Sequence, residues 1–222
     1  MKNRNLKFDS VAFDVDSTLV TIEGLDYMAS LKNKVDEISK ITRLAMNGEI
    51  SMKDAMVKKM AAISPSISDL VSMGNAYIKN IVTGVVETIN TLRKNKIKVW
   101  IVTGNFQPGV GILAKHLGIK PEYVITNEIF HNKDGSYRSF SLNHPLSNNG
   151  GKRIMVRKMK SLFGRVCFVG DGSTDLDTQE AVELFIGFGG VIRRKNIEEN
   201  SRVYISNTNM TSILNYLNLS ID

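Results

Sequence analysis

The sequence is poor in the residues that form disulfides and histidine-based metal sites. It contains one cysteine, Cys167, and three histidines among 222 residues. A single cysteine excludes an intrachain disulfide and fits a reducing compartment, so we expect a cytoplasmic protein. Cys167 lies in the apolar run Val-Cys-Phe-Val, which predicts a core position rather than a nucleophile. The histidines do not cluster with other metal ligands along the chain.

Long apolar runs are also absent. No stretch approaches the roughly 18 apolar residues that a membrane helix requires. The amino terminus carries charge but is not followed by the apolar core of a signal peptide. We therefore expect no membrane partner.

Aromatic residues are scarce, at 7%, and do not interleave with basic residues as they do in single-strand binding platforms. The net charge of +7 would by itself suit nucleic acid. However, lysine and arginine are spread along the chain, with only short clusters such as residues 193–195. We expect no nucleic-acid partner, since a small anionic substrate uses the same charge equally well. The sequence leaves open whether two copies form a homodimer.

Apolar strand-like segments alternate with helix-like segments from about residue 82 onward, after a first strand at 11–13. This alternation predicts an α/β fold with a Rossmann-like, mostly parallel sheet. The later predicted strands are 97–103, 124–126, 166–169, 185–186 and 203–205, the helices are 85–94, 110–117 and 152–163, and a hairpin turns at 133–135.

Residues 21–81 have a different pattern, with apolar residues at helical spacing and no convincing strand. Ser51 resembles a helix N-cap, and further helices are predicted around 35–45 and 70–81. We predict a small helical cap domain over 21–81, inserted after the first strand. The α/β core would then comprise 1–20 and 82–222.

Two carboxylates, Asp14 and Asp16, follow the first predicted strand directly. Side chains two residues apart on a strand point the same way, so both can converge on one spot. Two close anions require a shared proton or a cation between them. From these residues alone, a polar turn is as good an interpretation as a site. An EF-hand is excluded because Leu19 and Leu25 occupy its glycine and glutamate positions.

Three further segments bring polar groups to the same edge of the predicted sheet. One strand ends at Thr103, whose hydroxyl and following amides can hold phosphate oxygens, although for this segment alone a plain strand-to-helix turn is the better interpretation. Another is followed by Asp171 and Asp175 in a glycine-rich turn that suits Mg²⁺. Lys152 begins a helix and places an ammonium beside its amino terminus.

In order, Asp-x-Asp, Thr-Gly, Lys and Asp-Gly-x-x-Asp resemble the four motifs of the haloacid dehalogenase superfamily of phosphohydrolases. Within it the chain looks like the phosphoserine phosphatases, over nearly its whole length. The resemblance implies Mg²⁺-dependent hydrolysis of a small phosphorylated metabolite, with phosphoserine as the leading substrate. The alternatives are another small phosphomonoester, phosphoryl transfer to an alcohol, or a non-enzymatic protein that binds a phosphate ligand.

The resemblance also assigns catalytic roles. Asp14 would attack phosphorus and form an aspartyl-phosphate. Asp16 would protonate the leaving alkoxide and then activate water. Thr103 and Lys152 would stabilise charge on the transferring phosphoryl oxygens. The implied Mg²⁺ ligands are Asp14, the backbone carbonyl of Asp16, and Asp171, with Asp175 beside them.

Substrate contacts are implied at a further set of positions: Glu23, Met46, Lys59, Thr103, Gly104, Asn105, Lys152 and Thr174. Glu23 would bind the substrate amine, and Lys59 stands where the family has an arginine that grips the carboxylate. Lysine keeps the charge but loses the bidentate fork. Asn105 stands where the family usually has glycine. A lysine at the edge of an apolar stripe and a solvated glutamate are the competing interpretations of Lys59 and Glu23.

Overall fold

The computed structural model describes residues 7–46 and 49–221, without the side chains of Met46 and Met52. Its strands are β1 (Ser10–Phe13), β2 (Lys98–Phe106), β3 (Val124–Asn127), β4 (Ile129–His131), β5 (Tyr137–Phe140), β6 (Val166–Gly170), β7 (Leu184–Phe188) and β8 (Val203–Ile205). Its helices are α1 (Gly24–Leu31), α2 (Val35–Met46), α3 (Met52–Ile63), α4 (Ile67–Lys79), α5 (Val85–Lys94), α6 (Gly109–His116), α7 (Gly151–Lys158), α8 (Lys160–Phe163), α9 (Ser173–Leu176) and α10 (Lys195–Asn200).

Six parallel strands form one sheet in the order β3-β2-β1-β6-β7-β8. The strand β1 lies at its centre, with Phe13 paired to Ile101 on one side and Val169 on the other. Strands β4 and β5 form a separate antiparallel hairpin, and its turn uses Gly135 in a left-handed conformation (φ 83°), as the sequence predicts. The parallel sheet confirms the predicted fold class.

Both faces of the sheet are buried, because helices cover each side. Alternate residues of one strand enter different apolar clusters: Val11 and Phe13 face one, and Ala12 faces the other. Cys167 is fully buried, and burial raises the pKa of its thiol, so it is a core residue as predicted.

Four helices, α1 to α4, lie between β1 and α5. Ser51 caps α3 by accepting the backbone N–H of Asp54, as its sequence pattern predicts. The first helix, α1, has no counterpart among the predicted elements. The division of the chain into a cap at 21–81 and a core stays a prediction, and α4 packs closely on α6 of the β2–β3 connection.

That contact between α4 and α6 depends on two glycines. A Cβ atom on Gly74 would lie 2.7 Å from the carbonyl oxygen of Gly109. A Cβ on Gly109 would lie 2.7 Å from the carbonyl oxygen of Leu70. The absence of side chains therefore lets the two helix backbones touch.

Several element boundaries differ from prediction, as two examples show. The helix predicted over 152–163 is interrupted at Met159, whose backbone (φ −105°, ψ 14°) leaves the helical region and separates α7 from α8. Strand β2 continues past the predicted end to Phe106, through an irregularity in its pairing with β3. Across the residues described, every helix is too short or too polar to cross a membrane.

Candidate active site

The carboxyl ends of the central strands bring the predicted acidic residues together. Asp14 follows β1, is 8% exposed, and donates its backbone N–H to the carbonyl of Val169 on β6 at 3.0 Å. The chain then turns sharply, with Ser17 in a left-handed conformation (φ 51°). This turn keeps Asp14 and Asp16 at the same edge of the sheet.

Lys152 lies between two carboxylates. Its Nζ is 2.7 Å from Asp14 Oδ1 and 2.6 Å from Asp175 Oδ1, and the residue is 6% exposed. Burial alone would lower the pKa of Lys152, but the charges of Asp14 and Asp175 outweigh it and raise that pKa. Lys152 is therefore a fixed cation beside the Asp14 carboxylate.

Asp14, Asp171 and Asp175 form a cluster of buried carboxylates. Each offers an oxygen, and the three oxygens lie within 4.8 Å of one another. Burial and then the Asp14 charge raise the pKa of Asp171 to about 6, against the opposing charge of Arg194. The same two causes, opposed by Lys152, raise the pKa of Asp175 to about 7. The oxygen-only donor set fits a hard divalent cation, which would relieve the repulsion.

Within this cluster, Asp175 is already engaged by the protein. Its Oδ1 accepts from Lys152, and its Oδ2 accepts the backbone N–H of Gly172 at 3.0 Å. Asp171 accepts from the Thr18 hydroxyl at 3.3 Å and from Arg194 Nε at 3.0 Å. Asp14 and Asp171 are thus better placed to hold a metal ion directly, with Asp175 orienting Lys152.

Asp16 has a different environment from Asp14. Its carboxyl accepts from the Tyr77 hydroxyl (2.7 Å), the Gly24 backbone N–H (2.8 Å) and the Asn105 amide (2.7 Å). Burial, followed by the charges of Glu23 and Asp14, raises the pKa of Asp16 to about 8. A carboxyl group with that pKa is largely protonated at neutral pH and can donate a proton.

Thr103 and Asn105 reach the site from the irregular part of β2. Thr103 is 1% exposed, and its hydroxyl accepts the backbone N–H of Asn105 at 3.3 Å. The side-chain amide of Asn105 donates to Asp16 and so contacts the acid/base candidate. A glycine at this position, which is usual in the family, would leave that space open.

A cavity of about 520 Å³ opens above these groups. It is lined by most of the predicted site residues, namely Asp14, Asp16, Glu23, Lys59, Thr103, Gly104, Asn105, Lys152 and Thr174. Apolar groups line the rest of its wall, among them Leu25, Met56 and Ile192. Met46 ends α2, and its side chain lies outside the described residues.

Charged groups of both signs face the cavity away from Asp14. Glu23 accepts a hydrogen bond from the Ser17 hydroxyl at 2.6 Å. Lys59 on α3 is partly buried, and burial lowers its pKa against the charges of Asp26 and Glu23. A zwitterionic ligand would find a carboxylate for its amine and a cation for its own carboxylate here.

Arg194, which the sequence analysis places only in a short basic cluster, also lines the cavity. Its guanidinium lies 3.0 Å from Asp171 Oδ2 and 3.7 Å from Glu23 Oε1. Tyr77 is the second residue missed, because its apolar neighbours on α4 indicate only a core position. No motif signals either residue. A search for polar atoms on otherwise apolar helix faces would have singled out Tyr77.

Comparisons with known proteins agree on one family. A family model described as haloacid dehalogenase-like hydrolase matches residues 8–182. Phosphoserine phosphatase from Bos taurus is 30% identical over 208 residues, which cover 93% of this chain and 92% of that protein. Phosphoserine phosphatase from Mus musculus is 32% identical over 200 residues, which cover 89% of each.

Solved structures show the same architecture. A phosphoserine phosphohydrolase-like protein from Francisella tularensis superposes with a TM-score of 0.78 at 28% identity, covering 91% of this chain and 96% of that one. A HAD family hydrolase from Salmonella enterica superposes with a TM-score of 0.84 at 19% identity, covering 97% and 73%, which supports the fold alone.

Proposed function

The chain belongs to the haloacid dehalogenase-like hydrolases and is a phosphatase, and we propose that its substrate is O-phosphoserine, hydrolysed with the help of Mg²⁺. The observation that carries the proposal is the juxtaposition of Asp14 and Lys152 with a cavity that also presents Glu23 and Lys59. The named relatives, which match over about nine-tenths of their length, support the choice of substrate.

The chemistry begins at Asp14. Its carboxylate attacks phosphorus and forms an aspartyl-phosphate, while the alkoxide of serine leaves. Lys152, held beside Asp14 at 2.7 Å, and the Thr103 hydroxyl donate to the phosphoryl oxygens. Because Lys152 is buried and paired, it keeps its charge and position throughout the reaction.

Asp16 donates a proton in the first half-reaction and accepts one in the second. Its pKa of about 8 leaves it protonated before the first step, so it can neutralise the departing serine oxygen. The resulting carboxylate then accepts a proton from the water that hydrolyses the aspartyl-phosphate.

The negative charge of the site supports a divalent metal ion. Four carboxyl groups (Asp14, Glu23, Asp171 and Asp175) lie against two cations, Lys152 and Arg194. Mg²⁺ would be held by Asp14, the backbone carbonyl of Asp16, and Asp171. When bound, it supplies positive charge to the phosphoryl oxygens.

Substrate selection would fall to the charged groups at the cavity wall. Glu23, oriented by Ser17, is suited to the serine ammonium, and Lys59 to the serine carboxylate. A cytoplasmic location remains a prediction from the sequence, which leaves the formation of a homodimer open.

The test is phosphate release by the purified protein with Mg²⁺ from O-phosphoserine and from a panel of other phosphomonoesters. We expect O-phosphoserine to give the highest kcat/KM. Asp14→Asn should abolish turnover while its circular dichroism spectrum stays that of the wild type. Faster turnover of another ester would contradict the substrate, and an active Asp14→Asn variant would contradict the nucleophile.

A further inference from the structure

Three elements converge on the side chain of Asp16. Tyr77 reaches it from α4, Asn105 from β2, and Gly24 from the first residue of α1. The carboxyl therefore accepts three hydrogen bonds from the protein. Tyr77 lies outside the four motifs that identify the family, and Asn105 stands where the family usually has glycine, so their role needs a separate account.

We propose that Tyr77 and Asn105 are positioning residues that hold the Asp16 carboxyl in one orientation, with its acid proton on Oδ1. The inference rests on the proposed phosphatase chemistry, in which Asp16 is the acid and base. The inference goes beyond that chemistry by assigning the proton to one oxygen and the orientation to two residues that the family motifs do not specify.

The assignment to Oδ1 follows from the chemistry of the donors. Oδ2 accepts from the Gly24 backbone N–H at 2.8 Å and the Asn105 amide at 2.7 Å. A backbone N–H cannot become an acceptor, so a proton on Oδ2 would cost Asp16 one of these bonds. Among the described residues, Oδ1 accepts only from the Tyr77 hydroxyl, so its second lone pair can carry the acid proton without loss of a hydrogen bond.

Tyr77 is suited to donate in both protonation states of Asp16. Its side chain is fully buried, and burial followed by the Asp16 charge raises the pKa of its hydroxyl well above the usual value. Tyr77 therefore stays neutral, and its hydroxyl keeps donating to Oδ1 as Asp16 loses and regains its proton. The acid proton occupies the other lone pair of Oδ1, from which it can pass to the leaving oxygen.

Gly24 gives independent support, because its lack of a side chain makes the arrangement possible. A Cβ atom at this position would overlap the Tyr77 hydroxyl oxygen and lie 2.8 Å from Met73 Sδ and 3.1 Å from Asn105 Oδ1. Any larger residue would push Tyr77 and Asn105 away from Asp16. Gly24→Ala should therefore disturb the same contacts as changes to Tyr77 and Asn105 themselves.

The test compares two substrates that differ in their need for a proton. The serine alkoxide of O-phosphoserine needs protonation as it leaves, whereas the acetate of acetyl phosphate is a stable anion. For Tyr77→Phe and for Asn105→Ala we expect kcat/KM to fall about tenfold with O-phosphoserine and less than about twofold with acetyl phosphate. Gly24→Ala should follow the same pattern.

Tyr123→Phe is the matched control. Tyr123 packs against Trp100 at a ring-centroid distance of 4.8 Å and does not line the cavity. Its loss of a hydroxyl should leave both kcat/KM values unchanged. Circular dichroism and thermal unfolding would establish that each variant is folded, and if Tyr77→Phe is not, Asn105→Ala carries the test.

Equal losses on both substrates would assign Tyr77 and Asn105 to the general scaffold and overturn the inference, as would unchanged rates.

A second measurement follows ¹⁸O loss from labelled inorganic phosphate, which needs Asp16 but no organic leaving group. Slower exchange in the variants supports the inference, and exchange at the wild-type rate overturns it. If the wild type cleaves another alkyl phosphate but not O-phosphoserine, the substrate proposal is wrong, but the inference about Tyr77 and Asn105 is unaffected. That ester would then replace O-phosphoserine in the test.

Discussion

Lys59 is the side chain that we expect to decide which substrate the cavity accepts. It lies on α3, lines the cavity, and is flanked at longer range by Asp26 and Glu23. Because burial lowers its pKa, the ammonium is incompletely solvated and gains from an anionic partner. The serine carboxylate would supply that partner.

Replacing Lys59 by alanine should therefore weaken binding rather than chemistry. We expect Lys59→Ala to raise KM for O-phosphoserine about tenfold, because one charge-assisted hydrogen bond to the substrate is lost. The change in kcat should be small. Phosphoethanolamine, which lacks the carboxylate, should show no such rise. Lys58→Ala, on the exposed neighbour, is the control. An unchanged KM in Lys59→Ala would place Lys59 outside the substrate contacts.

Single residues differed in how far the sequence could predict them. Asp14, Lys152 and Asp171 stand next to strand ends or a helix start, where spacing alone brings them to one edge. Tyr77 and Arg194 reach the site from a helix face and a loop, and their direction depends on how α4 packs and how the chain leaves β7. Those tertiary contacts leave no local pattern in the sequence.

At the scale of whole elements, the contact between α4 and α6 determines where Tyr77 lies. The glycine pair Gly74 and Gly109 sets the distance between the helices and so fixes the position of Tyr77 one turn further along α4. An error of even an ångström in this contact would move the hydroxyl away from Asp16.

Gly74→Ala tests this contact. Alanine is the better helix former by about 1 kcal/mol, but its Cβ would meet the Gly109 carbonyl, and overpacking of this kind costs about 1–3 kcal/mol. We expect net destabilisation, with a melting temperature several degrees lower, together with reduced turnover through Tyr77. Asn75→Ala, exposed on the same helix, should not lower the melting temperature. A more stable Gly74→Ala variant would contradict the tight contact.

Elements with strong periodicity were predicted well, and boundaries less so. Helix α5 and strand β8 have the predicted bounds, since apolar spacing and flanking polar residues define them. Helix α1 was missed because it is only eight residues long and begins at Gly24, without a side-chain N-cap. The break at Met159 has no glycine or proline to mark it.

At the scale of the whole molecule, charge is distributed unevenly. The chain carries a net charge of +7, yet the carboxyl edge of the sheet gathers Asp14, Asp16, Asp171 and Asp175. Burial and then the charges of neighbouring carboxylates raise the pKa values of Asp171, Asp175 and Asp16 to about 6, 7 and 8. Composition could not reveal this clustering, because the acidic residues come together only on folding.

The metal-free protein should consequently become more stable as the pH falls from 8.5 to 6. In this range the folded chain takes up protons on carboxyls whose pKa values lie above their usual 3.8, whereas the unfolded chain does not. Stability rises towards the pH at which the folded state binds more protons. Thermal unfolding in EDTA across this range measures the effect.

Mg²⁺ should remove much of this trend, because it competes with protons for the same oxygens. Asp16→Asn should raise the metal-free melting temperature more at pH 8.5 than at pH 6. A melting temperature that falls on acidification over this range would mean that ionisation of the carboxyl cluster does not destabilise the folded protein.

The left-handed residues Asn33 (φ 55°) and Ser64 (φ 44°) bracket α2 and α3, which pack against each other. Outside these two points, α1 and α4 stay tied to Asp16 and to α6. Thr42 and Lys59, which both line the cavity, thus belong to a bounded stretch of chain whose described residues include none of the proposed phosphoryl-transfer groups. Such a stretch could be exchanged between relatives as a unit, so new substrates can be acquired in evolution or by grafting without rebuilding the reaction centre.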